Sequence, residues 1–392
     1  MDDVTILKDV RGTDAEQKTL LIRGGHIAWI GSELPPGVRD VPVFSGGGGL
    51  LLPALVDAHE HVDMTLWGMP WRPSTARDGS IEAFVENERA YRLGLPPVAD
   101  RMRGVIDALV ASGTLLVRSH TQVDPEIGLG NVEALLGVRE EFRDRVSLQI
   151  VAFPQFGILS EAGTADLMEE AVRMGAEVVG GIDPGESDDD SKGHLDVVFG
   201  IADRQGCMVD VHLHTRGKPG FQQIEAIIDR TSALGLGGRV AVSHAFCLPD
   251  ADEATVRKTA VRLAEARVAI TTSGWMPPLP LRLLRDEGVT VALGRDGGRD
   301  LWSPYGSPDM LERAMLVSWT EDFGYDEDLE YMLRTATTDA ARVLMVEDYG
   351  LEVGCRADLV VLPAEVSAEA VAMHPPRSLV MKSGKVVGGT LA

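Results

Sequence analysis

Residues Leu55–Met64 read LVDAHEHVDM. A short apolar run closes on two histidines two positions apart, His59 and His61. Side chains alternate along a strand, so both imidazoles leave the same face. Two imidazoles on one face at a strand end can grip a single metal ion. That reading requires further ligands from elsewhere in the chain, on strands that end in the same way.

Such strands recur. The apolar runs GTLLVRSH (113–120), VSLQIVAFPQ (146–155), AEVVGGIDP (176–184) and CMVDVHLHT (207–215) are each followed by a stretch with helical spacing. RVAVSHA (239–245), RVAITTSG (267–274) and VTVALGRDG (289–297) continue the series. With LVDAHEH at the front there are eight strand-then-helix units. Continuous apolar strands joined by helical crossovers imply a parallel sheet buried on both faces. Eight units imply an α/β fold with a TIM-like (β/α)8 barrel. The two chain ends read differently, as short alternating strands with Gly-rich turns, and are expected to meet in a small β-sandwich domain. The expected division is residues 1–52 plus 351–392 for that domain and 53–350 for the barrel. GGGG at 46–49 lacks the Lys and Ser/Thr of a phosphate loop and reads as a hinge into the barrel.

The bulk numbers narrow the partners. A chain of 392 residues with 44% hydrophobic content has ample material for a large core. Sixty acidic against 37 basic residues give a net charge of −23, which repels phosphate backbones and anionic membranes. Neither a nucleic-acid polymer nor a membrane is therefore an expected partner. Three cysteines, Cys207, Cys247 and Cys355, show no CxxC spacing and no disulfide framework. With no signal-like opening and no long apolar run, the expected location is cytoplasmic.

In barrels of this kind the chemistry sits where strands end. The strand ends offer His59 and His61, Arg118 and His120, Gln155, Asp183, His212 with His214 and Thr215, Ser243 and His244, Thr271 to Ser273, and Arg295 with Asp296. Six of the nine histidines are in that set. A lone strand-end histidine is usually structural; six aimed at one mouth point to a metal. His212 and Asp296 would complete a shell begun by His59 and His61. Nitrogen and carboxylate ligands suit one divalent ion, Zn2+ first and Fe2+ second, with a position left open for water. Trp302, in the loop after the eighth strand, could stack on a flat ring.

These stretches resemble the amidohydrolase superfamily, and within it the bacterial cytosine deaminases and their relatives. LVDAHEHVD, LVRSHTQVDP, IVAFPQFGILS, GAEVVGGIDP, VDVHLHT, RVAVSHA and VALGRDGGRDLWSPYGSPDML carry the similarity, which covers nearly the whole chain. The resemblance implies metal ligands His59, His61, His212 and Asp296. It implies that His244 orients the attacking water and that Gln155 bonds the ring of a small heterocyclic substrate. It also implies hydrolytic deamination, and assembly into a homo-oligomer.

The sequence departs from that family at one important place. Cytosine deaminases carry a proton-shuttling Glu three residues after the fifth-strand histidine, where this chain has Thr215. A threonine hydroxyl does not titrate near neutral pH. Three accounts follow: His214, Asp183 or Asp296 moves the protons instead; the leaving group needs less help, as in an ester-like or activated-amide substrate; or the protein binds a small molecule without turning it over. The alternative activity within the same superfamily is cleavage of a cyclic or N-substituted amide or of an aminotriazine-like C–N bond. If Thr215 stands at the shuttle position, Thr215→Glu is expected to raise pyrimidine deamination. Asp183 and His120 are candidate pocket residues. Arg295 and Gly297 also replace the His and Asp that flank the family's metal-binding Asp.

Overall fold

The computed structural model describes residues 4–73, 81–275 and 277–391. Among these, fifteen strands fall into two sheets. The N-terminal strands are β1 (Val4–Arg11), β2 (Gln17–Arg23), β3 (His26–Gly31) and β4 (Val43–Pro53). Then come β5 (Leu55–Glu60), β6 (Thr114–Gln122), β7 (Ser147–Phe153), β8 (Val178–Ile182), β9 (Met208–His212), β10 (Val240–Ser243), β11 (Val268–Thr272) and β12 (Val291–Leu293). The last are β13 (Leu359–Leu362), β14 (Leu379–Lys382) and β15 (Lys385–Gly388).

Strands β5 to β12 form the eight-stranded sheet in sequence order, paired in parallel. Each is followed by helix, as the alternation in the sequence requires. β5, β6, β8, β9, β10 and β12 are buried at every residue. Helices cover one face and side chains fill the other, so neither face meets water.

The crossover helix Ser191–Gln205 shows how the local sequence builds the layer. Asp190 caps it by accepting from Gly193 N at 2.9 Å, and Gly206 ends it in the left-handed region at φ 67°. Leu195, Val198, Phe199 and Ala202 recur at helical spacing and are buried. Each large apolar side chain so placed stabilises by about 1.5–3 kcal/mol. Phe199→Ala would cost about 3–5 kcal/mol.

The other seven strands are hydrogen-bonded in the order β15-β14-β13-β4-β1-β2-β3. Both chain ends thus share one sheet, and its two halves meet in a single apolar cluster that includes Leu7, Leu20, Ile22, Leu51, Leu359 and Met381. β4 joins them, parallel to β1 and antiparallel to β13. The Gly46–Gly49 run lies inside β4 and not at the entry to the barrel, which corrects the hinge expectation. Gly47 and Gly48 sit at φ 62° and 77° where the register with β1 slips. A Cβ on Gly49 would lie 2.8 Å from Leu362 O. The glycines therefore form a bulge that only residues without a side chain can make. The chain passes into the barrel one step later, at Ala54, whose N–H donates to Asp358 O at 2.9 Å.

Among the described residues, no helix is long and apolar enough to cross a membrane.

Candidate active site

The C-terminal ends of the barrel strands bring the predicted residues together. His59 Nε2 lies 3.2 Å and His61 Nε2 3.4 Å from Asp296 Oδ1. His212 Nε2 is 3.3 Å from His61 Nε2. His59, His212, His244 and Asp296 each place one ligand atom so that all lie within 4.8 Å of one another. His244 Nδ1 is 3.9 Å from Asp296 Oδ2. Four strand ends, those of β5, β9, β10 and β12, thus meet at one point.

The backbone is bent to achieve this. His244 (φ 71°), Asp296 (φ 59°) and Asp183 (φ 33°) all lie in the left-handed region, each at the end of a strand. Such conformations cost about 1–3 kcal/mol each and persist only where the surroundings enforce them. Gly294 is required for a different reason. A Cβ there would collide with His59, so glycine lets the end of β12 approach the end of β5.

The electrostatics suit a cation. Burial alone would raise the Asp296 carboxyl, but the imidazoles of His244, His59 and His61 packed beside it hold it far below the ordinary carboxylate value. Burial, reinforced by neighbouring imidazoles, pushes His212 and His244 well below the ordinary imidazole value. Neutral imidazoles are the form that binds metals. His59 Nε2 and both ring nitrogens of His244 are buried with no hydrogen-bond partner. Unsatisfied buried groups cost about 1–3 kcal/mol each. A divalent cation would satisfy His59 Nε2, and a shell of imidazole nitrogens and a carboxylate oxygen fits one.

Beside this cluster is a cavity of about 470 Å³. Its polar lining includes His61, His212, His214, Gln155, Asp296 and Asp300. Its apolar lining includes Phe84, Phe153, Phe246, Trp275, Trp302 and Tyr305. Trp302 is fixed in place: its indole N–H donates to Glu88 Oε2 at 2.7 Å, and its ring stacks on Phe84 with centroids 5.3 Å apart. Gln155 is buried at the end of β7 and lines the same space.

Other predicted residues sit near the cavity without lining it. Asp183 is spent on the backbone and on His214. Its Oδ1 accepts from His214 N at 2.6 Å and Thr215 N at 3.0 Å, and its Oδ2 meets His214 Nδ1 at 2.7 Å. Burial opposes a charge on His214, but Asp183 outweighs it and raises the His214 pKa. Thr215 turns the other way: its hydroxyl donates to Asp183 at 3.3 Å, and its side chain borders a separate cavity of about 610 Å³ near Ser191 and Gln223. His120 is fully buried behind His59, their ring centroids 4.0 Å apart, and neither of its nitrogens has a hydrogen-bond partner.

Several pocket residues escaped the sequence reading. Phe153 closes β7 two residues before Gln155, so period-two reasoning could have found it, whereas Phe246 follows the left-handed turn at His244 and Ala245, where strand alternation has ended. Phe84, Trp275, Asp300 and Tyr305 come from loops and an added helix, where no strand pattern points inward. Asp300 is engaged within its own loop. It accepts from Trp302 N at 2.8 Å and Ser303 N at 2.7 Å and so shapes the loop that carries Trp302.

An eight-stranded parallel barrel with imidazoles and a carboxylate converging on its rim defines the metal-dependent hydrolase class of this fold. The chain belongs to the amidohydrolase family, whose model matches residues 44–388. It is 30% identical to the N-isopropylammelide isopropyl amidohydrolase of Pseudomonas sp. strain ADP, over 93% of this chain and 92% of that one. The solved N-isopropylammelide isopropylaminohydrolase from Burkholderia multivorans superposes with a TM-score of 0.94 at 41% identity, covering 99% of both chains. The 5-methylcytosine deaminase from Klebsiella pneumoniae superposes with a TM-score of 0.86 at 28% identity, covering 97% of both. The protein is a metal-dependent hydrolase acting on C–N bonds, with cytosine deaminase-like relatives.

Proposed function

We propose that this enzyme hydrolyses an exocyclic C–N bond of a small, electron-poor nitrogen heterocycle and releases an amine, with an N-alkylamino triazine-like ring preferred over an aminopyrimidine such as cytosine. His59, His61, His212 and Asp296 are the proposed ligands of one divalent ion, Zn2+ before Fe2+. The observation that carries the reading is the aromatic wall of Phe84, Phe153, Phe246, Trp275, Trp302 and Tyr305 against a rim whose histidine is anchored by Asp183. That wall gives an alkylated leaving group an apolar place to sit. The similarity to N-isopropylammelide hydrolases over nearly the full chain supports it.

When bound at the rim, the metal lowers the pKa of a water molecule toward neutrality. The side chains do the rest. Gln155 hydrogen-bonds the ring and sets its register against the rim. Trp302 stacks on the ring face, braced by Glu88 and Phe84. His244, a neutral imidazole beside Asp296, orients the attacking water. Asp183 holds the Nδ1 hydrogen of His214, which leaves Nε2 facing the cavity to accept a proton and pass it to the departing nitrogen. An amine leaves poorly unless protonated, so this transfer replaces the family's missing Glu.

The test is a panel of N-alkylamino hydroxytriazines, cytosine and 5-methylcytosine with amine and ammonia release measured separately. We expect kcat/KM for the alkylamino substrates to exceed that for the aminopyrimidines by about 100-fold, the discrimination an apolar pocket can supply. Ammonia release from aminopyrimidines alone would overturn the proposal.

A further inference from the structure

We infer that Arg295 is a positioning residue for the metal site, acting through a buried ion triad with Asp57 and Glu60; the inference rests on reading His59, His61 and Asp296 as metal ligands.

The triad is threaded between those ligands in the chain itself. Glu60 lies between His59 and His61, Asp57 two residues before His59, and Arg295 immediately before Asp296. Arg295 Nη2 meets Glu60 Oε2 at 2.7 Å, and its Nε meets Asp57 Oδ2 at 3.1 Å. All three side chains have no solvent exposure. Asp57 Oδ1 also accepts from the backbone N–H groups of His59 (3.2 Å) and Arg295 (3.0 Å), touching both strand ends with one atom. Arg295 Nη1 donates to Ser307 O at 3.1 Å, so the guanidinium is held from a third side.

The location explains why a clamp is needed. The hydrogen-bonded order of the barrel runs from β12 to β5 and stops at those two strands. The site needs the ends of these same strands to lie in register, because His59 and His61 come from one and Asp296 from the other. A backbone bond from Asp296 N to His59 O, 2.7 Å, spans the seam. The triad adds two buried ion pairs across it, the one with Asp57 also a hydrogen bond. Arginine suits the task because its planar fork engages two carboxylates at fixed angles, whereas a lysine ammonium is a single point charge. This accounts for the arginine that stands before the metal-binding Asp here.

Removing Arg295 alone would strand two buried carboxylates and endanger folding. The main variant is therefore D57N/E60Q/R295M, which neutralises all three partners at similar volume, and the second is R295K. The measurements are zinc affinity by chelator competition, the visible spectrum of the Co2+-loaded protein, and melting of the metal-free protein. For the triple variant we expect melting close to wild type, zinc binding weakened about 10- to 100-fold, and an altered Co2+ spectrum. R295K should fall between it and wild type. Should the triple variant fail to fold, R295K decides: weakened zinc binding with an altered spectrum supports the clamp, and wild-type values overturn it. A folded triple variant with wild-type zinc affinity and Co2+ spectrum also overturns it. H61A and D296A measured alongside separate the two readings, because wild-type zinc affinity in those variants removes the ligand assignment itself and the clamp with it.

Discussion

The two sides of the active-site mouth are built from different materials. The seam between β5 and β12 is ionic and fully buried, with Arg295 paired to Asp57 and Glu60 next in the chain to His59, His61 and Asp296. The facing wall is aromatic and comes from loops, one helix and the end of β7, with Trp302 stacked on Phe84 and tied to Glu88. Charges in a low-dielectric interior hold geometry stiffly because their energy falls off sharply when partners are lost. Aromatic surfaces bind through area and tolerate rearrangement. Under the proposed function this is a division of labour: the seam would set where a metal and water sit, and the wall which substrate reaches them.

Breaking the seam side should have the largest effect. H61A is expected to lose bound metal and to lower kcat by at least about 1000-fold, as removal of a member of a catalytic unit does; kinetics with elemental analysis of the same sample checks it. H214A, on the shared edge of both regions, should lower kcat by about 100-fold, the contribution of one acid–base group, while metal content stays the same. Loss of metal from H214A would move that residue into the ligand set. Thr215→Glu is now expected to bring no gain in pyrimidine deamination, since the side chain at 215 points to Asp183 and away from the cavity; an increase in ammonia release would contradict that orientation. W302F removes the indole N–H from Glu88 and should raise KM for the alkylamino substrate about 5-fold with kcat nearly unchanged, in line with the loss of one aromatic contact. A fall in kcat instead would place Trp302 nearer the reacting atoms than the wall.

Much of the barrel could be read from residue order. The strand-end histidines at 59, 61, 212 and 244 and Asp296 follow from period two and from the rule that barrel chemistry gathers at one face. What failed to show was of two kinds. Thr215 and Asp183 end strands as the candidates should, yet neither lines the cavity, because the backbone turns at Asp183 and its carboxylate is consumed by His214 and Thr215. His120 alternates correctly but lies a layer below the mouth, behind His59. Phe84, Trp275 and Tyr305 belong to segments with no inward-pointing repeat.

The sequence by itself determined the class of fold and which strand-end histidines and aspartate gather at one mouth, because apolar period and strand-end chemistry are local properties of the chain. The tertiary structure alone decided which polar residues face the cavity, which are spent on positioning a neighbour, and that Arg295 closes the seam. Those outcomes depend on contacts between residues separated by up to 238 positions, as between Asp57 and Arg295. No local pattern encodes them, since an ion pair is set by where two strands end in space and by the absence of water between them.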